Sequence, residues 1–151
     1  MRFTLDSNIL VYSLDRQAAA KREIAQHILA RAIDLDTILA VQAIGEFLNA
    51  VRRRNSGEFD MATDQAALWP TIFPTFQTTA AQLIGAASVA LRYRLQFWDS
   101  VVLEVARTNG ATMMLTEDMQ DGATIGGVEL LNPFAAANRE KLDFVLRAST
   151  R

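Results

Sequence analysis

Short apolar runs alternate along this chain with longer segments in which apolar residues recur every three or four positions. The apolar runs predict strands, because strands buried on both faces are nearly continuous in apolar residues. The longer segments predict helices, because this recurrence places apolar side chains on one helical face. Predicted strands cover about 2–6, 37–41, 111–115 and 128–131, with an extended edge segment at 72–78. Predicted helices cover about 8–14, 17–33, 42–54, 60–69, 79–94 and 98–109, with a tail helix at 138–147.

This order of elements predicts an α/β fold with a short, mostly parallel central sheet and helices on both of its faces. We expect one domain over residues 1–134 and a C-terminal tail, 135–151, that is helical and packs on the domain. Local signals support the boundaries. Asp60 is a candidate N-cap for the helix at 60–69, and Pro70 lies just beyond its predicted end.

The composition fits a single globular domain. The chain has 151 residues, of which 50% are hydrophobic and 21% are charged, which is enough apolar material for one buried core. No apolar run approaches the roughly 20 residues needed to cross a bilayer. The N-terminal sequence MRFTLDSN lacks the apolar region of a signal peptide. We therefore expect a cytoplasmic protein without a membrane partner.

The scarcity of cysteine and histidine excludes several kinds of chemistry. The chain has no cysteine and one histidine, His27, which lies beside the apolar stripe of a predicted helix and is interpreted as a partly buried structural residue. The chain therefore lacks the residues needed for Ser-His-Asp hydrolysis, for RNA cleavage by a histidine pair and for a Cys/His metal site. The formal net charge of −2 does not indicate bulk binding of nucleic acid, although it allows a local basic patch.

Carboxylates follow two of the predicted strands. Asp6 comes directly after the first strand, and Asp118 follows the strand ATMML. In parallel sheets, ligands bind outside the carboxyl ends of the strands, so both acids are expected at one edge. Each acid alone is equally compatible with an ordinary turn or helix cap.

Two further acids lie on predicted helices. Asp99 is at a helix start, where N-capping is the simplest interpretation. Glu46 falls opposite the apolar stripe of its helix, and periodicity alone favours a solvated Glu paired with Arg52 or Arg53. Four clustered acids would repel one another unless a cation relieved the repulsion, and oxygen-only ligands suit Mg²⁺ or Mn²⁺. Such an ion can activate a water and neutralise a phosphodiester without any histidine.

Four motifs, in this order, resemble those of PIN-domain nucleases, and in particular the VapC-like ribonuclease toxins of VapBC-type toxin–antitoxin pairs. The first is an apolar strand followed by Asp, any residue and Asn, in LDSNILVY. The second is a helix that carries a Glu, in QAIGEFLNA, and the third is Trp or Tyr before Asp at a helix start, in FWDSVVLEVA. The fourth is a strand followed by Thr, any residue and Asp, in LTEDMQDG. The resemblance covers about residues 1–134.

The resemblance implies a metal-dependent endoribonuclease that cleaves RNA phosphodiester bonds with a metal-activated water. Its candidate catalytic residues are Asp6, Glu46, Asp99 and Asp118. Asp6 and Asp99 are implied as the main ligands of the Mg²⁺ or Mn²⁺ cofactor. Glu46 and Asp118 would complete the cluster, bind a second ion or orient the attacking water.

Further positions carry weaker implications. Asn8 and Thr116 would hydrogen-bond the carboxylates and steady them. Asp121 is a fifth acid, which either binds a second metal ion or caps the turn before Gly122. Ala40 departs from the family pattern, because relatives often carry Ser or Thr there. The family also implies a cognate antitoxin protein as partner, and a homodimer.

Two groups of arginines are candidates for contact with the RNA backbone. Arg52, Arg53 and Arg54 end the predicted Glu46 helix, and Arg92 and Arg94 form a second group. A helix dipole accounts for one such Arg better than for three. The alternative for both groups is an ordinary solvated surface. Phosphate contacts carry no sequence information, so these residues do not specify the RNA target.

Two other functions compete with the nuclease. One is a non-catalytic PIN-like module that binds RNA or protein. The other is an aspartyl-phosphate phosphatase of the haloacid dehalogenase type, which also places an Asp after its first strand. That chemistry needs a second Asp where Asn8 stands and a Lys near the phosphoryl group, and Lys21 and Lys141 are poorly placed for it.

Overall fold

The computed structural model describes residues 1–147 of the chain. Its strands form one sheet in the order β3-β2-β1-β4-β6-β5. The strands are β1 (Phe3–Leu5), β2 (Thr37–Ala40), β3 (Thr75–Phe76), β4 (Met113–Leu115), β5 (Thr124–Ile125) and β6 (Val128–Leu131). The α-helices are α1 (Ser7–Tyr12), α2 (Ala19–Ala32), α3 (Val41–Arg54), α4 (Phe59–Ile72), α5 (Ala80–Tyr93), α6 (Phe97–Thr108) and α7 (Arg139–Val145). Short 3₁₀ turns cover Ser56–Glu58 and Ala136–Asn138.

The middle of the sheet is parallel and buried on both faces. β1 pairs in parallel with β2 on one side and with β4 on the other. Every residue of β1, β2 and β4 is buried, and since successive side chains of a strand point to opposite faces, both faces must be covered. The predicted fold class, a mostly parallel sheet flanked by helices, is therefore confirmed.

The register of the two central strands brings their carboxyl ends together. Leu5 of β1 is opposite Leu115 of β4, and the N–H group of Asp6 donates to the carbonyl of Leu115 at 3.0 Å. The chain therefore leaves both strands at the same point of one sheet edge. Asp6, the residue after β1, and Thr116, the residue after β4, are both buried there.

The other end of the sheet contains a strand that the sequence did not predict. β5 has two residues and pairs antiparallel with β6. Gly126 and Gly127, the turn between them, have φ angles of +57° and +82°. Glycine adopts these angles without steric cost, so the pair forms a tight hairpin turn. A strand of two residues is too short to leave a periodic signal.

Helix α4 differs from its predicted bounds at both ends. It begins at Phe59, so Asp60 lies in its first turn and is not the N-cap. It also continues through Pro70 to Ile72. Pro70 lies in the last turn, and the helix still closes beyond it, because the N–H of Phe73 donates to the carbonyl of Trp69 at 2.8 Å. The proline therefore costs one hydrogen bond without ending the helix.

An ion pair within α6 has its carboxylate buried against α5 and its guanidinium partly exposed. Glu104 of α6 is buried and accepts hydrogen bonds from Nε and Nη2 of Arg107 at 2.9 and 2.6 Å. Gly85 of α5 lies against it, so that a Cβ added there would be 2.9 Å from Oε1 of Glu104. The absence of a side chain at Gly85 lets the two helices approach with the carboxylate between them.

The tail packs on the domain as far as the structure describes it. Leu142, Val145 and Leu146 are buried in the same apolar core as the strands, and Nε of Arg31 donates to the carbonyl of Leu146 at 3.1 Å. The last four residues of the tail, 148–151, lie outside the described residues. Over residues 1–147, none of the helices has both the length and the apolar character needed to traverse a bilayer.

Candidate active site

Asp6 is a buried carboxylate at the end of β1. It is the N-cap of α1, and its Oδ1 accepts from the N–H of Ser7 at 2.7 Å. Its Oδ2 accepts from the hydroxyl of Thr116 at 2.7 Å. The exposed fraction of Asp6 is 0%, and this burial raises the pKa of its carboxyl to about 6 despite the two hydrogen bonds. Asp6 therefore caps a helix, as the simple interpretation held, but it also places a costly buried charge at the sheet edge.

Asn8 joins the two strand ends. Its Nδ2 lies 3.3 Å from Oδ2 of Asp6, 3.3 Å from the hydroxyl of Thr116 and 3.2 Å from Oδ2 of Asp118. Thr116 in turn accepts from the N–H of Asp118 at 3.2 Å. Asn8 and Thr116 therefore contact the carboxylates that they were predicted to steady. Asp118 itself is exposed.

Asp99 enters the site from α6 with its carboxylate free. The N-cap of α6 is Gln96, whose side-chain oxygen accepts from the N–H of Asp99 at 2.9 Å. The N-cap interpretation of Asp99 is therefore wrong, and no donor in residues 1–147 contacts its carboxylate. Burial, together with the charges of the other three acids, raises the pKa of Asp99 to about 7. Of the four acids, this one is most in need of a positive partner.

Glu46 faces the same region from α3. Its Oε2 accepts from the hydroxyl of Ser7 at 3.4 Å, and its Oε1 accepts from Nε2 of Gln42 at 3.3 Å. Within the described residues it forms no ion pair with Arg52 or Arg53, so the paired, solvated interpretation from periodicity is not what the structure contains. Burial raises the pKa of the Glu46 carboxyl above its ordinary value.

An open cavity of about 800 Å³ lies above the strand ends. Three of the predicted catalytic acids, Glu46, Asp99 and Asp118, line it, while the buried Asp6 lies behind them. The remaining lining residues are Ser7, Asn8, Val11, Tyr12, Asn49, Ala50, Arg53, Arg54, Gln96, Trp98 and Glu117. The cavity is large enough for a nucleotide-sized ligand.

The donor set of this cavity suits a hard divalent cation. Its acids offer only oxygen ligands, and burial, with the charges of the neighbouring acids added to it, raises the pKa values of Asp6 and Asp99. The side chains do not yet converge, since residues 1–147 contain no group of three or more acids or histidines placed to hold one ion. Carboxylate oxygens fit a hard divalent cation, and holding a single ion would require these side chains to move closer together.

Asp121 is held elsewhere. Its Oδ1 accepts from the N–H of Asn132 at 2.9 Å, and both of its oxygens accept from Nδ2 of Asn138 at 3.0 and 2.8 Å. It does not line the cavity. These contacts favour the alternative of a turn residue, which here ties the end of β6 to the tail, over a second-metal ligand.

The candidate arginines separate into two groups. Arg53 and Arg54 line the cavity. The guanidinium carbon of Arg52 lies 6.0 Å from the ring centre of Phe59, and that of Arg92 lies 5.4 Å from the ring centre of Tyr93. Arg94 ends α5 in the left-handed conformation, with φ of +55°. Only the first two therefore border the acidic cavity.

Tyr12 and Glu117 line the cavity although the sequence did not predict them there. Lys21 pairs with Glu117 and donates to the hydroxyl of Tyr12 at 3.3 Å. Although burial opposes the shift, the hydrogen bond from Lys21 lowers the pKa of Glu117, so this carboxylate already has a positively charged partner. Helical periodicity could have identified Asn49 and Ala50, because they share the helical face of Glu46. Lys21 is 96 residues from Glu117, and no local pattern reports such a pair.

The structure also bears on the remaining interpretations. Lys21 pairs with Glu117, and Lys141 pairs with Glu129, so neither lysine is available to Asp6 as an aspartyl-phosphate mechanism requires. His27 is exposed on α2, not partly buried as predicted. It does not line the cavity.

Comparisons with known proteins agree with this architecture. No protein-family model and no curated protein sequence matches the chain. Among solved structures, the chain is similar to Mycobacterium tuberculosis VapC20, described as a Sarcin-Ricin loop cleaving toxin, with 17% identity, a TM-score of 0.64 and coverage of 77% of this chain and 89% of that one. It is also similar to VapBC2 from Rickettsia felis bound to a DNA fragment from its promoter, with 12% identity, a TM-score of 0.62 and coverage of 86% and 97%. A third match is a toxin–antitoxin complex from Klebsiella pneumoniae, with 18% identity, a TM-score of 0.61 and coverage of 86% and 96%. At these identities the likeness concerns the fold, and it confirms the predicted VapC-like PIN-domain architecture.

Proposed function

We propose that this chain is a Mg²⁺- or Mn²⁺-dependent endoribonuclease that acts as the toxin of a toxin–antitoxin pair. The observation that carries the proposal is the free Asp99 carboxylate, which has no donor in residues 1–147 and shares a nucleotide-sized cavity with Glu46 and Asp118. The VapC-like fold supports the same class, because the similar proteins named above are toxins or toxin–antitoxin complexes.

In this proposal Asp6, Asp99 and Asp118 hold the cation. When bound, the ion supplies a positive charge for the phosphodiester and lowers the pKa of the attacking water. Asn8 and Thr116 fix the orientation of the carboxylates through the hydrogen bonds described above. Glu46, whose pKa is raised by burial, accepts a proton at Oε1 or Oε2 more readily than an ordinary carboxylate does.

The rest of the cavity positions the RNA. Arg53 and Arg54 border the acids on the α3 side, where they can bind backbone phosphates. The partner proposed for this surface is an antitoxin that covers the cavity, by analogy with the complexes of similar fold. A homodimer and a cytoplasmic location stay predictions.

The ends of the cleaved RNA test the reaction. Attack by water should leave 5′-phosphate and 3′-hydroxyl ends, and an RNA with a 2′-deoxy position at the cut site should still be cleaved. EDTA should stop the reaction, and Mg²⁺ or Mn²⁺ should restore it. Asp6→Asn and Asp99→Asn should abolish cleavage, whereas Asp34→Asn, at an exposed acid outside the cavity, should retain it.

Two results would contradict the proposal. Products with 2′,3′-cyclic phosphate ends, formed undiminished in EDTA, would show attack by the RNA's own hydroxyl. RNA binding with no cleavage under any metal condition would favour the non-catalytic PIN-like module instead.

A further inference from the structure

One wall of the cavity carries an exposed aromatic side chain. Trp98 lines the cavity and is 45% exposed. The only other tryptophan of the chain, Trp69, is 1% exposed and packs edge-to-face on Phe47 at 4.7 Å. A large apolar ring left in water at a polar cavity forgoes the stabilisation that burial would provide, and such positions often mark binding sites.

The ring of Trp98 packs against one neighbouring aromatic side chain at the start of α6. Phe97 and Trp98 are the first two residues of α6, and their rings meet edge-to-face with centres 4.9 Å apart and planes at 64°. Asp99 follows directly on the same helical turn. The contact leaves the indole 45% exposed, and Trp98 and Asp99 line the same cavity.

The charge of the cavity leaves a need for contacts other than ion pairs. The charged lining residues are Glu46, Asp99, Glu117 and Asp118, which are acidic, and Arg53 and Arg54, which are basic. Even with Glu117 paired to Lys21, the acids outnumber the arginines. Only two basic side chains of residues 1–147 line the cavity, so even with a cation on the acids the protein offers few phosphate contacts, and an uncharged contact can add to RNA affinity.

We propose that Trp98 stacks on an unpaired nucleobase next to the phosphodiester that the acids address, so that the substrate is a single-stranded segment of RNA. This inference rests on the proposed function. Every nucleobase has an aromatic face, and single-stranded RNA is bound by stacking splayed bases on such rings. In a duplex the bases are stacked on one another and cannot reach the indole. Arg53 and Arg54, which line the same cavity, would then bind the backbone of this segment.

Binding without cleavage isolates the stacking contact. In the Asp6→Asn protein with Mg²⁺, a short single-stranded RNA should quench the emission of the exposed Trp98, while the buried Trp69 remains as an internal reference. Trp98→Phe in this background should remove the quenched component. By fluorescence anisotropy with labelled RNA, Trp98→Ala should weaken binding about tenfold, and Trp98→Phe should retain most of the affinity.

Two controls make the experiment specific. Phe144→Ala removes an aromatic side chain that is 68% exposed and does not line the cavity, and it should leave RNA affinity unchanged. An RNA with an abasic site at the base beside the cut, and a duplex of the same sequence, should both bind more weakly than the intact single strand.

The outcomes separate this inference from the proposed function. If the wild type cleaves RNA but Trp98→Ala binds it with undiminished affinity, or the abasic RNA binds as well as the intact one, the stacking role is wrong and the nuclease stands. If Trp98→Ala leaves RNA affinity intact but changes the oligomeric state, the aromatic wall is a protein surface instead. If the wild type neither binds nor cleaves RNA, both the function and this inference fail.

Discussion

At the scale of single residues, the four acids of the cavity differ in how they are held. Asp6 is buried and accepts hydrogen bonds at both oxygens, whereas the Asp99 carboxylate has no donor in residues 1–147. Asp6 therefore has a fixed position, and Asp99 is free to move towards a cation. Glu46 is intermediate, with one long hydrogen bond to each oxygen. Substitution of Glu46 is therefore the clearest test of whether an acid of the cavity takes part in the reaction.

Glu46→Gln should lower the rate of RNA cleavage at least tenfold, which corresponds to about 1.4 kcal/mol of transition-state stabilisation. Glutamine keeps the shape and the contacts to Ser7 and Gln42 but cannot accept a proton or bind a cation through a charge. The free energy of unfolding should change by only about 0.5 kcal/mol. Initial cleavage rates and urea unfolding of the same preparations measure both.

Glu23→Gln is the matched control, because Glu23 is exposed on α2 and outside the cavity. It should leave both quantities unchanged. A Glu46→Gln protein as active as the Glu23→Gln protein would remove Glu46 from the mechanism.

The sequence could locate these residues only in part. Asp6 and Asp118 follow strands, and the parallel order of the sheet places them at one edge. Only the family resemblance assigns Glu46 to the site, because a residue opposite the apolar stripe of a helix is ordinarily solvated. The free state of Asp99 was not predictable, since it depends on Gln96 taking the N-cap, and glutamine is not a preferred residue there.

At the scale of elements, the approach of α5 to α6 depends on a glycine. Gly45 in the middle of α3 has nothing within 4 Å of a built Cβ, whereas the same atom at Gly85 would be 2.9 Å from the Glu104 carboxylate. Both glycines lie inside helices, so alanine at either site gains similar helix propensity. The two sites therefore form a matched pair that separates propensity from packing.

Gly45→Ala should raise the free energy of unfolding by about 0.5–1 kcal/mol. Gly85→Ala should gain less or be destabilised, because the new methyl group must displace a buried carboxylate that Arg107 holds at both oxygens. Urea unfolding of the two variants in parallel measures the difference. Equal stabilisation of both would mean that Glu104 moves aside at no cost.

Most helices and strands were predictable because their apolar patterns are long or continuous. The failures are local. The strand β5, which ends at the Gly126–Gly127 turn, has only two residues and leaves no pattern. Pro70 does not end its helix as predicted, because a proline in the last helical turn removes only one hydrogen bond. The contact of Gly85 with the Glu104 carboxylate was not predictable, since it joins two helices whose packing neither apolar pattern specifies.

At the scale of the whole molecule, the buried acids make stability depend on pH. Burial raises the pKa of Asp6 from 3.8 to about 6, so the folded protein binds this proton more tightly than the unfolded chain does. The stability contributed by protonated Asp6 is present below pH 4 and is lost as the pH rises through about 6. Asp99, with a pKa raised to about 7, acts in the same direction.

In EDTA, the Asp6 contribution to the free energy of unfolding should therefore fall by on the order of 3 kcal/mol between pH 4 and pH 7. Asp6→Asn removes the titrating group, so its stability relative to the wild type should rise over this range. Urea unfolding at a series of pH values measures the difference, and Asp34→Asn serves as the exposed control. Parallel pH profiles for the wild type and Asp6→Asn would contradict the buried-charge account.

The parallel pairing of β1 with β4 has a consequence for how the protein is made. Thr116 contacts Asp6 across 110 residues of chain, and β4 occupies the place between β1 and β6. Because the ribosome delivers the N-terminal strands first, β1 cannot pair with β4 until Met113–Leu115 has been synthesised. Until then neither Thr116 nor Asp118 has joined Asp6. Under the proposed function, a nascent chain from which β4 has not yet emerged lacks two of the side chains that meet Asp6, so it should be unable to cut RNA.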